Sequence, residues 1–152
     1  METPLGPADD LREHERAAAL AYTEYPPTPA WYPAAVGVWS ALFLACFLYL
    51  LGEPALVPCL LGLVAIEAGF VGWYRRKRGT MPSMKGAPPE FQRAFRIYAA
   101  GIVGVAALVA AASFVLPRPA AVAICLAVVT LALTAYERVY RDAAVAARAR
   151  LR

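Results

Sequence analysis

Glu67 is the residue whose type and position could most directly do chemistry. It is the one charge in an apolar stretch from Pro54 to Tyr74, eight residues before Arg75. At helical rise this spacing places the carboxyl about 12 Å inside the stretch. An ionisable group at such a depth is costly in a membrane and marks a proton site, an ion site or a buried contact. A structural hydrogen bond to a neighbouring helix is the simplest alternative.

Possible partners of Glu67 follow from depth and from the helical wheel. Ser40 and Thr130 come to a similar depth in other apolar stretches, so we expect their hydroxyls to be its partners. Small residues share one side of the Glu67 helix, and large residues surround Glu67 on the other. The small residues are Gly62, Ala65, Gly69 and Gly72, and the large residues are Leu60, Leu63, Val71 and Tyr74. Either the large face packs against other helices or a second protein covers Glu67.

The three cysteines lie at one level, five or six residues from the same ends of their apolar stretches. They are Cys46, Cys59 and Cys125. Without a C-x-x-C pair, packing as small apolar side chains is the favoured interpretation, and a thiol cluster stays open. The single histidine, His14, is followed by Glu15, but Ala18 stands where a zinc-protease motif needs its second histidine. We therefore expect no catalytic residues, no metal site and no cofactor.

A basic cluster follows the second apolar stretch and consists of Arg75, Arg76, Lys77 and Arg78. Such a cluster fixes the orientation of a helix in the membrane, and it can also bind anionic lipid headgroups. The arginine-rich end of the chain is typical of a solvated helix at a membrane surface, and we expect no nucleic-acid partner.

The elements that position these residues are four apolar helices. The 152-residue chain is 61% hydrophobic and 17% charged, whereas soluble domains have about 45–50% and 25%. Four stretches approach the ~20 residues that cross a bilayer, at residues 31–51, 54–74, 97–116 and 120–136. The sequence therefore predicts an all-α integral membrane bundle.

Two very short connections predict that the helices form two antiparallel hairpins. Gly52-Glu53-Pro54 joins the first pair and Pro117-Arg118-Pro119 joins the second. Small residues recur in the third span and predict close helix packing there. They are Gly101, Gly104, Ala107, Ala111 and Ala112.

Basic residues predict the orientation, because fourteen of the fifteen lysines and arginines fall on one side of the predicted spans and only Arg118 on the other. The positive-inside rule makes that side cytoplasmic, with both termini. The cytoplasmic parts would be an N-terminal segment at 1–30, a loop at 75–96 and a tail at 137–152. The acidic first 30 residues are unlike a secretory signal.

Helix signals continue into these cytoplasmic parts. Pro88-Pro89-Glu90 predicts a helix start, and Phe91 and Phe95 then share one face, as in a helix lying partly in the interface. The tail can prolong the fourth helix into water.

The Trp31-Tyr32-Pro33 and Gly72-Trp73-Tyr74-Arg75-Arg76 segments make the chain resemble uncharacterised small four-helix integral membrane proteins of high-GC bacteria. That resemblance implies no activity. Small multidrug transporters also have four spans, but their membrane glutamate lies in the first helix. We expect a non-enzymatic accessory or scaffold subunit of the bacterial cytoplasmic membrane that associates with itself or with a larger complex. A small proton- or ion-coupled transporter or channel using Glu67 is the alternative.

Overall fold

A computed structural model of the chain describes Tyr22 and residues 28–78 and 87–150. This part contains four helices: α1 (Tyr32–Leu50), α2 (Leu56–Arg78), α3 (Pro89–Val115) and α4 (Arg118–Arg150). All four are long and apolar enough to cross a membrane, which confirms the predicted all-α class and the four apolar helices. The expectations for His14, for the N-terminal segment apart from Tyr22 and residues 28–30, and for residues 79–86 of the 75–96 loop lie outside the described residues.

Helices α3 and α4 are longer than the predicted spans. At about 1.5 Å per residue they extend about 40 Å and 50 Å, whereas a hydrocarbon core is about 30 Å thick. The additional length lies in the first turns of α3 and in the last turns of α4. The helix start expected at Pro89 is therefore the beginning of α3 itself, not of a separate interfacial helix.

The turn between α1 and α2 depends on Gly52. Leu51 is extended (φ −61°, ψ 121°) and Gly52 has φ 89°, while the Glu53 N–H donates to the Leu50 carbonyl at 2.9 Å. This is a type II turn, whose third residue needs positive φ and therefore favours glycine. The turn between α3 and α4 depends on Pro117, whose carbonyl accepts the N–H groups of Ala120 and Ala121.

Contacts along the helices show that both pairs are antiparallel. In the first pair, Tyr32 contacts Tyr74 near one end (ring centroids 6.3 Å), and Trp39 Nε1 donates to the Leu63 carbonyl (3.2 Å) near the middle. In the second pair, Tyr98 lies beside Tyr136 (4.8 Å). The described basic residues therefore gather at one end of the molecule, which we call the basic end, and Arg118 lies at the other. The basic-end residues are Arg75, Arg76, Lys77, Arg93, Arg96, Arg138, Arg141, Arg148 and Arg150.

The helices form an open row in the order α2–α1–α4–α3. Close backbone contacts join α1 to α4, α4 to α3 and, over a smaller area, α1 to α2. Among the described helices, α2 contacts neither α3 nor α4. The four helices therefore lie side by side in a row that does not close on itself. Only one strip of large side chains on α2 packs on α1, and the other sides of α2 are left uncovered.

Helices α1 and α4 approach each other closely at Gly37. A Cβ built on Gly37 would collide with Thr130 Oγ1 and would lie 3.0 Å from the Leu126 carbonyl oxygen. The close packing predicted for the third span is wrong for most of its small residues. A Cβ on Gly101 or Gly104 meets nothing within 4 Å, and of the stripe only Ala112 is buried.

A small core lies at the basic end, beyond the span predicted for α4. We call it the basic-end core. It consists of the buried Tyr22, Ala87, Phe91 and Ala147, with Phe95, Tyr140, Ala143 and Ala144 packed around them. Arg150 Nε bonds Glu90 Oε1 at 2.7 Å beside this core. The core therefore joins the N-terminal segment, the start of α3 and the end of α4.

Candidate functional site

Glu67 lies on the side of α2 that faces α1. Leu63, Glu67, Phe70 and Tyr74 follow one another at spacings of four, three and four, which places them on one helix face. Two of these neighbours contact α1 directly. The Leu63 carbonyl accepts the Trp39 indole N–H, and Phe70 stacks on Tyr32 (centroids 6.0 Å). Glu67 is thus held between two points of attachment.

The Glu67 side chain nevertheless remains exposed. Within the described part of the chain, no hydrogen bond or ion pair involves its carboxyl, although its neighbours on this face are half-buried or buried. The small residues of α2 point the other way, because a Cβ on Gly62, Gly69 or Gly72 meets nothing within 4 Å. The large face therefore packs on α1, as in one of the two alternatives, but this packing does not cover Glu67.

The structure does not bring Ser40 and Thr130 to Glu67. Ser40 lines a groove that α1 forms with α3 and α4. Thr130 lies on α4 against Gly37, and its buried Oγ1 has no partner among the described residues. Because α4 does not contact α2, the Thr130 hydroxyl does not reach the Glu67 carboxyl of the same chain.

Two of the three cysteines meet. The thiols of Cys46 on α1 and Cys59 on α2 lie within hydrogen-bonding reach, at the end of the hairpin remote from the basic end. Cys125 lies instead on α4, where it lines the groove with Ser40. All three are free thiols. The cluster that the sequence left open is therefore a pair, and it joins α1 to α2 near their turn.

This pair predicts a specific oxidation product. Copper(II)–phenanthroline in air should join Cys46 to Cys59, because their thiols already lie within hydrogen-bonding reach of each other. Intact-mass measurement of the purified chain should show the loss of two hydrogens within one molecule. Cys46→Ser or Cys59→Ser should abolish the product and Cys125→Ser should not. A disulfide that includes Cys125 would contradict the arrangement of α1 and α2.

The basic cluster is exposed at the end of α2. Arg75, Arg76 and Lys77 are accessible, and Lys77 Nζ lies 5.3 Å from the centre of the Trp73 ring. An ammonium group over an indole face is attracted by the ring quadrupole. Trp73 itself is half exposed beside Phe70 (centroids 5.9 Å). The cluster thus combines an aromatic residue with accessible positive charge, and the Arg78 side chain is not among those described.

A groove about 550 Å³ in volume lies between α1, α3 and α4. Its walls are almost wholly aliphatic, with Ser40 and Cys125 inside and Tyr98 and Tyr136 toward the basic end. The Glu137 carboxylate is near enough to influence the Tyr32 and Tyr136 hydroxyls electrostatically. Among the described residues, no group of three or more histidine, cysteine or acidic side chains could hold a metal ion.

Sequence reasoning missed Gly37, the groove and the basic-end core. The sequence did contain a signal for Gly37, because Pro33, Gly37 and Ala41 follow one another at spacings of four residues. All three are buried. The groove gave no signal of its own, since its lining comes from three helices whose order in space the sequence does not state.

Comparison with known proteins gives no relative. No protein-family model matches the chain, and neither a curated protein nor a solved structure does.

Proposed function

We propose that this chain is a non-enzymatic accessory or scaffold subunit of the bacterial cytoplasmic membrane, and that it assembles through α2. One observation carries the proposal: α2 is exposed along nearly its whole length yet presents Glu67 in the middle of an apolar face. In the described residues of this helix only Tyr74 is buried. The partner is another copy of the chain or a helix of a larger membrane complex.

The uncovered carboxyl is costly in a membrane. A charged side chain at the centre of a transmembrane helix costs on the order of 2.5–3.5 kcal/mol on insertion scales, so such residues usually face a partner or water. In the described part of the chain α2 contacts only α1, and Glu67 stays exposed beside it. A second helix that donates a hydrogen bond to Glu67 would offset part of this cost. Helix pairs in membranes gain about 1–2 kcal/mol from such a bond in model peptides.

The orientation with both termini in the cytoplasm belongs to this proposal. It is supported by the nine basic-end residues, against Arg118 at the other end of the described structure, over the Tyr49 ring (5.7 Å). The exposed Arg75, Arg76 and Lys77 would then lie at the anionic cytoplasmic leaflet. There they can hold the base of α2 at the headgroup level.

Substitution of Glu67 tests the assembly. In lipid nanodiscs, the wild-type chain should give more than one subunit per disc by single-molecule photobleaching. Glu67→Leu should give one, because Leu can donate or accept no hydrogen bond. Glu67→Gln should retain most of the assembly, since a neutral amide still bonds across helices. Glu53→Gln changes the carboxylate of the adjacent turn and should have no effect.

A complex with a different protein gives a distinct result. The wild-type chain is then single in nanodiscs, but it co-purifies with that protein from its own membranes, and Glu67→Leu loses the association. If Glu67→Leu matches the wild type in both measurements, α2 is not the assembly surface.

The alternative is a small proton- or ion-coupled transporter or channel. The observation in its favour is that the Glu67 carboxyl lies exposed within an apolar span and has no hydrogen-bond or ion-pair partner among the described residues. Proteoliposomes with an imposed pH gradient separate the two ideas. Loss of gradient-driven flux in Glu67→Gln with assembly intact supports transport, whereas unchanged flux with impaired assembly in Glu67→Leu supports the scaffold.

A further inference from the structure

We propose that the groove between α1, α3 and α4 binds one acyl chain of a phospholipid from the leaflet at the basic end. The inference rests on the membrane location of the four helices. It does not depend on assembly through α2, which lies on the far side of α1 and lines no part of the groove.

The chemistry of the groove fits a hydrocarbon chain. Val36, Ile102, Val105, Val129 and Leu133 are typical of its walls. Polar atoms are few and unevenly placed. The Ser40 hydroxyl and the Cys125 thiol lie inside, and the two tyrosine hydroxyls lie toward the basic end. A water-filled channel would need polar groups along its length, so an apolar occupant is favoured.

The length of the groove fits one leaflet. On α3 the lining extends from Ile97 to Val109, and on α4 it extends from Cys125 to Val139. These intervals are twelve and fourteen residues, or about 18 Å and 21 Å at helical rise. Half of a bilayer, headgroup region included, is about 20–22 Å thick. A phospholipid whose headgroup lies at the basic end of the groove therefore has its acyl chain end near the bilayer midplane.

The groove has the volume of a small-molecule site. Its volume of about 550 Å³ falls within the ~300–1,000 Å³ of such sites. A single flexible hydrocarbon chain can therefore lie along it.

The rim of the groove suits a phospholipid headgroup. Tyr98 and Tyr136 contact each other at the basic end, and tyrosine favours the membrane interface because its ring is apolar and its hydroxyl is polar. Arg93 and Arg96 are exposed on the preceding turns of α3. They supply positive charge at the depth of the phosphate when the chain lies in the groove.

Two glycines of α3 provide a matched test. Neither Gly101 nor Gly104 has an atom within 4 Å of a built Cβ, so both accept a larger side chain. Only Gly101 lines the groove. The probe is a phosphatidylglycerol with a photoreactive diazirine at mid-chain, supplied to the full-length protein in nanodiscs. Labelled residues are located by peptide mass spectrometry.

In the wild type we expect the label to concentrate on groove residues of α3 and α4. Gly101→Leu should lower that labelling about tenfold, equivalent to about 1.4 kcal/mol of binding, and Gly104→Leu should leave it unchanged. Ala106→Leu, which also lines the groove, and Ala107→Leu, which does not, repeat the comparison if a glycine variant fails to fold. Thermal unfolding of each variant identifies such a failure.

Two outcomes would overturn the proposal. Equal labelling in the two members of a matched pair means that the lipid only surrounds the protein. If Gly101→Leu changes the number of subunits per disc, a second chain lies in the groove. Both results leave the test of Glu67 unaffected, because that test uses α2 variants.

Discussion

Gly37→Ala is expected to loosen the contact between α1 and α4 and to lower the stability of the chain by about 1–3 kcal/mol, the usual cost of overpacking. The added methyl would collide with Thr130 Oγ1 and lie 3.0 Å from the Leu126 carbonyl oxygen. The hydroxyl can rotate, but the carbonyl belongs to the α4 backbone. The two helices must therefore separate slightly along the largest interface of the row.

The measurement is thermal or denaturant unfolding in one fixed detergent, with Gly62→Ala and Gly104→Ala as controls. Both control glycines are helical and have no atom within 4 Å of a built Cβ, so their substitution should be neutral or slightly stabilising. Thr130→Ala should cost little by itself, because the Thr130 hydroxyl is buried without a partner among the described residues.

The double variant Gly37→Ala, Thr130→Ala isolates the collision. It should recover a large part of the stability lost in Gly37→Ala, because only the Leu126 carbonyl then stands close to the new methyl. Additive effects of the two changes would show that the methyl added at position 37 does not meet the Thr130 hydroxyl. Equal losses at Gly37 and Gly104 would mean that α1 and α4 do not pack as described.

The sequence predicts the four helices and both turns because these depend on local properties. A run of about twenty apolar residues needs a membrane or a large core, and either requires the backbone to satisfy its own hydrogen bonds. The turn at Gly52 needs a glycine at positive φ, and the turn at Pro117 ends α3 because proline disfavours a helical residue before it. None of these rules requires knowledge of distant residues.

Packing was predicted less well because a small side chain does not specify what lies beside it. The sequence contains three sets of small residues at helical spacing, on α1, α2 and α3. Only the set on α1, with Gly37 at its centre, makes a close contact in the described structure. In a bilayer, a glycine is surrounded by apolar groups whether it faces lipid or another helix. Composition therefore does not show which glycines pack against a helix.

Glu67 shows what the structure adds to the alternatives that the sequence left open. The large face of α2 packs on Tyr32 and Trp39 of α1, so the small face points outward, and Glu67 stays exposed. The hydroxyl partners expected from depth lie elsewhere in the structure. Thr130 is on α4, which does not contact α2, and Ser40 is on α1 but lines the groove with α3 and α4.

The basic-end core could not be predicted, because its members are far apart in sequence. The Tyr140 hydroxyl donates to the Tyr22 carbonyl at 3.4 Å, across 118 residues. Phe91 and Phe95 suggested a helix face at the interface, yet Phe91 is fully buried among protein side chains. The sequence showed the aromatic residues but not that the tail of α4 would cover them.

Phe91→Ala is expected to open this core at a cost of about 3–5 kcal/mol, typical of truncating a buried phenylalanine. Its ring contacts Tyr22 (centroids 5.2 Å) and Tyr140 (5.1 Å). The loss should be local, because the membrane part of the row does not depend on this ring. Amide hydrogen exchange should quicken over residues 137–150, and trypsin should cleave faster after Arg141 and Arg148.

Phe114→Ala is the matched control, since Phe114 lies on the same helix and is 91% exposed. It should leave both the exchange and the cleavage of the tail unchanged. If Phe91→Ala behaves like Phe114→Ala, the end of α4 is held by something other than the basic-end core. If Phe91→Ala instead lowers the cooperative unfolding temperature as strongly as Gly37→Ala, the core and the α1–α4 contact form one folding unit. The tail of α4 would then stabilise the whole row and not only its basic end.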